Sequence, residues 1–547
     1  MRKLTYIIFC ISVFALQFYA QQPTQEWVGR FNWNTACYGR GVQLDSTGNV
    51  YVLMRLSNPS TSSDYGLIKY TPFGDLIWSA SYNSPGNLND QPTEFAVTRT
   101  GEVYITGTVN VNFETRINTV KFDSSGSLQW ARVFNGGGSG DVPLDIKIDN
   151  QGNTIVAGNT NTPGDTLRVL IIKYNSFGDT LWVKRFTQLP DESSTSEIVL
   201  DMLNNIYLVG SYGYFINLPD FLTIKYATNG SLQWYSTYNT PDNRQDHGHQ
   251  IAIDSIGNIY VAGTTQVPAG AGTNDILLKM NSSGSIQWTK LFRGVMNNNG
   301  NGGYIISGIA VSSDNSSVYY STFCPSSING NEDIVTLKYN NNGDSLWAKR
   351  YFGGVNQNIN FPNTLQLDKN NNIYIAGVGN HIITGNDYII IKYLPDGTQK
   401  WLCIYNGTLS NSEDLSSGLA IDNNNIFITG QSTYNNNPIQ WETATVKYSQ
   451  PMAIVNNNNE MPSEYKLQQN YPNPFNTNSI IEYSLPKTSK ITISLYNTIG
   501  ELIKHIINNE QSAGYYSINV NLNDYSSGLY FYRLTADNKI IETKKLI

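Results

Sequence analysis

The chain has 547 residues with a net charge of −7, which argues against nucleic acid as a partner because phosphate backbones demand a concentrated basic surface. Only 14% of residues are charged and 12% are aromatic, with 36 Tyr against 20 Phe and 46 Gly. Tyr suits half-buried strands and Gly suits tight turns, so an all-β chain is expected.

Arg2 and Lys3 precede the apolar run from Leu4 to Leu16, and Ala20 closes the segment. Residues 1–20 therefore read as a secretory signal peptide cut after Ala20. No other stretch is apolar enough to span a membrane, so no transmembrane segment is expected in the mature chain. Cys10 leaves with the signal. Cys37, Cys324 and Cys403 remain, an odd number without a CxxC pair, so no disulfide framework is expected.

Self-similarity then organises residues 21–448. A Lys before an aromatic or apolar residue recurs at Lys69, Lys121, Lys173, Lys225, Lys279, Lys338, Lys392 and Lys447. A Trp follows in step at Trp78, Trp130, Trp182, Trp234, Trp288, Trp347 and Trp401, with a Gly turn between, as in Phe73-Gly74-Asp75. A second hairpin reads Val42 to Asp45, then Gly48-Asn49, then Val50-Tyr51-Val52; its Asp recurs at Asp149, Asp201, Asp254, Asp368 and Asp422, with Thr98 and Ser313 as substitutes. Four short strands in about 50 residues, repeated without helices, are what a propeller blade requires. The last unit lacks a Trp strand, whereas Glu26-Trp27-Val28 stands alone before the first. The expectation is an eight-bladed β-propeller with four strands per blade, closed by the N-terminal strand. These units resemble the bacterial beta-propeller repeat, a likeness specific for fold and uninformative about ligand.

Residues 449–463, with Asn456 to Asn459, read as a polar linker. Residues 464–547 change pattern to alternating strands, predicting a small Ig-like β-sandwich. The motif Tyr471-Pro472-Asn473-Pro474-Phe475-Asn476, with Gly500, Gly528-Leu529-Tyr530 and Lys544-Lys545, is similar to the type A sorting domain of the type IX secretion system. That resemblance implies the type IX secretion machinery as partner, a secreted or outer-membrane cell-surface location, and processing near the linker.

Candidate chemistry is sparse. Asp246-His247-Gly248-His249 could present metal ligands, but the matching unit has Asp414-Leu415-Ser416-Ser417, so no metal is expected. The Asp-x-x-Gly-Asn turns offer too few oxygens for calcium and read as hairpin caps. A row of acidic residues (Asp64, Asp220, Asp275, Asp333, Asp387, Glu442) is interrupted by Arg116 and Arg168, so local capping is favoured over a ring that gathers cations. No nucleotide or cofactor fingerprint occurs, so no cofactor is expected. The Gly and Asp turns fall at one end of each unit and the long, variable connections at the other, where binding surfaces are expected. Exposed aromatics there, Tyr212, Tyr214, Phe215, Tyr434 and Trp441, are the candidate ligand-binding residues. The expected function is a monomeric, non-catalytic binding module for glycan or protein. The alternatives are a polysaccharide hydrolase or lyase, with paired carboxylates from distant blades, and a structural surface component.

Overall fold

The computed structural model describes residues 22–546 apart from 59–61, 139, 163, 214–217, 267–272, 294–305, 326–331, 354–359, 382–383, 410–411, 423–424, 437–438, 451, 454–461, 471–472, 474–477 and 522–527. The proposed signal peptide lies outside these residues. Every regular element is a β-strand, and the chain divides into two compact bodies, residues 23–450 and 451–547.

The first body repeats one antiparallel meander. After an N-terminal strand β1 (Thr24–Phe31), the first unit runs β2 (Cys37–Leu44), β3 (Val50–Asn58), β4 (Ser62–Tyr70) and β5 (Leu76–Tyr82), each paired with the next. The same order repeats over residues 90–134, 140–185, 193–238, 246–292, 306–351 and 361–405. Three further strands, Ser412–Asp422, Asn425–Asn436 and Ile439–Ser449, gain their fourth partner from β1, which pairs antiparallel with the last of them. The middle strands are buried on both faces, as the Val-Tyr-Val-Leu run of β3 predicts, while β5 alternates exposed and half-buried residues.

The recurrent residues explain how the units hold together. Each Lys is paired across the ladder with the Trp of its own unit: Lys69 with Trp78, Lys121 with Trp130, Lys173 with Trp182, and finally Lys447 with Trp27. The indole then reaches forward to the Gly turn of the next unit. Trp78 Nε1 donates to the Ser124 carbonyl at 3.1 Å, and Trp130 does the same to Ser176 at 3.1 Å. Lys69 and Lys121 donate to those same two carbonyls at 3.3 and 3.2 Å. Glycine is required in the turn: Gly126 has φ +84°, and a Cβ there would sit 2.8 Å from the Trp78 ring. The series does not stop at the last unit. Trp27 and Lys447 both donate to the Pro72 carbonyl, at 3.2 and 3.0 Å, so the last unit is joined to the first by the bonds that join the first to the second.

Apolar packing follows the same course. Tyr51, Leu53, Tyr65 and Leu67 share a cluster with Phe95, Val103, Ile105 and Val120 of the following unit. Val42, Val50, Val52 and Met54 share one with Ala420 and Phe427 of the last unit, against which Trp27 also packs. Backbones meet closely there, since a Cβ on Gly39 would come within 2.5 Å of the Gly430 carbonyl oxygen.

The Asp turns are self-contained caps. Asp45 Oδ1 accepts the N–H groups of Thr47 and Asn49 at 2.9 and 3.0 Å, and Oδ2 accepts the Tyr51 hydroxyl at 3.1 Å. Lys69 stands 4.9 Å from the Tyr51 ring centroid and 3.8 Å from Asp45. One position differs from the sequence expectation: in the sixth unit the cap is Ser312 rather than Ser313, because that turn is one residue longer, closing from Ser312 N to the Ser317 carbonyl. Cys37, Cys324 and Cys403 are buried free thiols.

The second body contains two four-stranded sheets. Ile481, Tyr483 and Leu485 of one face Ile491, Ile493, Leu495 and Leu534 of the other in a single core. Met452–Ala453, within the segment read as linker, pairs with Tyr516 and Ser517 as a short strand of the first sheet. The strand that follows Gly500 runs from Leu502 to Gln511.

Removing the indole that joins last unit to first tests the role of β1. Trp27→Ala should lower stability by about 2–4 kcal/mol, as for other large-to-small changes in packed sites, measured by chemical unfolding. A loss below about 0.5 kcal/mol, typical of an uninvolved surface residue, would rule out β1 as a structural closure.

Candidate functional site

The leading strand of every unit carries a bulge at one place. Register shifts fall between Gly39 and Gly41, Pro92 and Glu94, Pro143 and Asp145, Thr195 and Glu197, Gly248 and Gln250, Ile306 and Gly308, Pro362 and Thr364, and Ser416 and Gly418. A bulge leaves one residue per strand outside the ladder and redirects its side chain. In the first, third, fourth and seventh units side chains at or just after the bulge bond to the next leading strand. Ser196 Oγ donates to the Gly248 carbonyl at 2.8 Å, and Asn363 Nδ2 to Ser416 Oγ at 3.0 Å.

In the first unit the extra residue is Arg40, and its side chain is exposed. Close by, Tyr38 and Arg55 are direct cross-strand partners, with the Arg55 guanidinium 4.4 Å from the Tyr38 ring centroid. Trp441, from the last unit, completes the cluster, its ring centroid 6.3 Å from that of Tyr38 at an interplanar angle of 39°. All four residues lie near the strand ends that carry the long connections. Although its side chain reaches solvent, the surrounding protein partly desolvates the Arg40 guanidinium, and this, then the charge of Arg55, lowers its pKa. Among the described residues neither arginine forms an ion pair, and Arg55 Nε is buried without a hydrogen-bond acceptor. Some other arginines of this body do pair with carboxylates: Arg30 with Glu442, Arg350 with Asp333 at 3.1 Å and Arg168 with Asp165 at 3.1 Å.

The five aromatic candidates separate. Trp441 joins the arginine cluster. Tyr434, on the same hairpin, is the extra residue of a bulge beside Thr433, the ladder partner of Trp441. Tyr212 packs against the apolar cluster of Ile198, Leu208 and Leu222 and acts as a core residue. Tyr214 and Phe215 lie outside the described residues. Tyr38, Arg40 and Arg55 carried no sequence signal, because nothing in the repeat marks them. The Tyr-x-Arg spacing across a Gly-x-Gly bulge was the one available hint.

A second cluster follows the bulge in three consecutive units: Glu94, Asp145 and Glu197. Lys147 Nζ lies 2.6 Å from Asp145 Oδ1, Asp145 Oδ2 accepts Ile198 N–H at 3.0 Å, and Glu197 Oε2 accepts Ile251 N–H at 2.7 Å. Burial, then the charge of Asp145, push Glu94 up to about 7 and Glu197 up to about 8. The main-chain bonds tie successive leading strands together, a role that Gln43 fills elsewhere through the Phe95 carbonyl and the Val97 N–H.

The histidines are engaged with hydroxyls. His247 Nδ1 lies 3.2 Å from Ser211 Oγ and His249 Nε2 lies 3.0 Å from Thr264 Oγ1. Burial holds His249 neutral, its pKa down to about 4. Among the described residues no group of three or more His, Cys, Asp or Glu side chains is arranged to hold a metal ion. The acidic row is engaged locally: Asp333 with Arg350, Asp387 with His381 at 2.8 Å, Glu442 with Arg30, and Asp64 with Asn58 at 2.9 Å. Burial, then Asp246, lift Asp220 to about 6.

In the second body the sorting-motif residues converge on the last strand. Asn473 Nδ2 and Gln469 Nε2 both donate to the Lys545 carbonyl, at 3.1 and 2.6 Å. Gly500 has φ +83° in a turn capped by Asn497, Gly528 and Leu529 lead into the strand Tyr530–Ala536, and Lys544 pairs with Glu542 at 2.5 Å. Tyr471, Pro472, Pro474, Phe475 and Asn476 lie outside the described residues.

Comparison with known proteins agrees with both halves. Residues 469–547 match the model of the secretion system C-terminal sorting domain, and residues 235–268 match the beta-propeller repeat. An uncharacterized WD repeat-containing protein of Acanthamoeba polyphaga mimivirus is 23% identical across 69% of this chain. The chain spans about a third of that relative, whose matched share is 35%. Among solved structures, an ulvan lyase is 10% identical, with 63% of this chain and 90% of that one covered at a TM-score of 0.42. The polysaccharide lyase Uly1 is 8% identical, with 78% and 99% covered at 0.41. Likenesses this weak carry no argument about activity. No helix among the described residues is long and apolar enough to cross a membrane. The chain is a secreted all-β protein that carries a beta-propeller repeat and ends in a sorting domain, the mark of proteins sent through type IX secretion to the cell surface or beyond.

Proposed function

We propose that residues 21–448 form an eight-bladed propeller closed by β1, that 449–463 link it to an Ig-like sandwich at 464–547 serving as the secretion address, and that the propeller is a non-catalytic module binding an extracellular glycan or protein. The Trp-to-turn bonds of Trp78, Trp130, Trp234, Trp288 and Trp347 to the following unit, and of Trp27 from the last unit to the first, support the closed ring. The observation that carries the binding role is the half-buried aromatic and cationic cluster of Tyr38, Arg40, Arg55 and Trp441 at the long-connection ends. Unpaired charges held beside aromatic rings are costly in a scaffold and useful at a recognition surface. A chain lacking residues 469–547 should accumulate inside the cell instead of reaching the medium or surface. The full-length secreted protein should bind members of a glycan and polysaccharide array, and Trp441→Ala should weaken that binding severalfold. Export of the truncated chain, or an array without hits together with no captured protein ligand, would overturn the respective half of the proposal.

The enzyme reading has one supporting observation. Glu94 and Glu197 hold protons near neutral pH, as a general acid must. The bond of Glu197 to the next leading strand favours a structural belt instead. Both carboxyls bind protons more tightly folded than unfolded. Their contribution to stability is therefore complete below the unfolded value near 4.5 and is lost as pH rises through about 7 for Glu94 and about 8 for Glu197. Stability of the wild type should fall between pH 5 and 8, and Glu94→Gln/Glu197→Gln should flatten that fall in thermal melts. Release of new polysaccharide ends by the wild type, abolished in either single variant, would establish the enzyme reading in place of the belt.

A further inference from the structure

Arg40 and Arg55 are two cations set together beside aromatic rings, with no carboxylate between them. Two guanidinium groups close enough to lower the pKa of Arg40 repel each other, and among the described residues no carboxylate lies within ion-pair distance of either. The acidic side chains nearest in the fold are already committed: Glu442 to Arg30, and Asp64 to Asn58. Arg55 Nε is buried with no acceptor. A buried donor left unmade and a like-charge pair both destabilise the folded chain, and an external anion reaching in past the exposed Arg40 relieves both.

We propose that Tyr38, Arg40, Arg55 and Trp441 form a binding site for an acidic polysaccharide, one bearing carboxylate or sulfate groups on its sugar rings. The inference rests on the propeller being a binding module and names its ligand class. The planar guanidinium fork matches both anions and binds them with two parallel hydrogen bonds. The Tyr38 and Trp441 rings, half-buried and tilted by 39°, offer apolar faces to the C–H face of a pyranose. Two adjacent cations suit a ligand whose charge repeats along a chain. An acidic peptide offers the charge without the rigid apolar ring face, so the aromatic pair favours the saccharide. The site exists only where last and first units meet, since Trp441 comes from one and the other three residues from the other.

Affinity gel electrophoresis of the full-length protein in polygalacturonate, dextran sulfate, neutral dextran and polyglutamate tests this. The wild type should be retarded by polygalacturonate or dextran sulfate, the responsive one identifying the anion, and by neither dextran nor polyglutamate. Arg40→Gln/Arg55→Gln should weaken binding about tenfold or more, the scale of lost charge-assisted bonds. Arg40→Lys/Arg55→Lys should lose a smaller share, keeping the charge but not the fork. Lys369→Gln/Lys400→Gln, which removes two exposed charges elsewhere, should bind as wild type. The Gln pair should also melt no lower than wild type, because relieving the repulsion does not harm the fold. Equal binding to polyglutamate, retardation unchanged in the Gln pair, or no retardation by either acidic polymer would overturn the acidic-polysaccharide site. Array binding to neutral glycans that persists in the Gln pair would do so while leaving the broader binding role intact.

Discussion

An indole resting on a glycine organises the first body. The turn glycine has no Cβ, so the Trp of the preceding unit can lie flat on its backbone while its N–H finds a carbonyl of the same turn. The Lys opposite that Trp donates to the same carbonyl, and its ammonium stands over the Tyr that the Asp cap holds by its hydroxyl. Four repeated residue types are thus one device, shared between neighbouring units. A Cβ in the turn would clash with the ring, and loss of the ring would leave a void and a carbonyl held by the Lys alone. Because the device always reaches forward, the last unit has to reach something, and the first turn, at Gly74, is what Trp27 covers.

The same regularity shows where function departs from architecture. In four units polar side chains at or just after the bulge bond to the next leading strand, through Gln43, Asp145, Ser196 with Glu197, and Asn363 with Gln366. Carboxylates that look exposed to chemistry in the sequence prove to be such links, with Asp145 and Glu197 accepting from Ile198 and Ile251. Arg40 occupies the bulge of the first unit, at the junction where the ends of the chain meet.

Much of the fold was legible from particular residues. The Lys and Trp positions located strand pairs before any geometry was known, down to Lys447 opposite Trp27 across the whole body. The Asp turns were read correctly as caps, though the cap in the sixth unit shifted by one because an added residue lengthened its turn. Among the candidate ligand residues, Trp441 stands in the arginine cluster and Tyr212 belongs to a core. Both are aromatic residues near long connections, and sequence gives no means of telling which side of the strand meets an apolar neighbour from the next unit.

What the sequence alone determined was everything with a period: the strand meander, the turn chemistry, the forward contact of each unit, and the C-terminal address carried by a contiguous motif. These are local in the chain, so spacing encodes them. The tertiary structure decided what has no period. Tyr38 and Trp441 are some 400 residues apart and become neighbours only because β1 and the last strands bring the two ends together. Arg40 leaves the ladder only because a bulge, invisible to alternation, inserts it. Whether a charge finds a partner depends on which unit lies beside it, and that is a property of the assembled ring of contacts rather than of any segment.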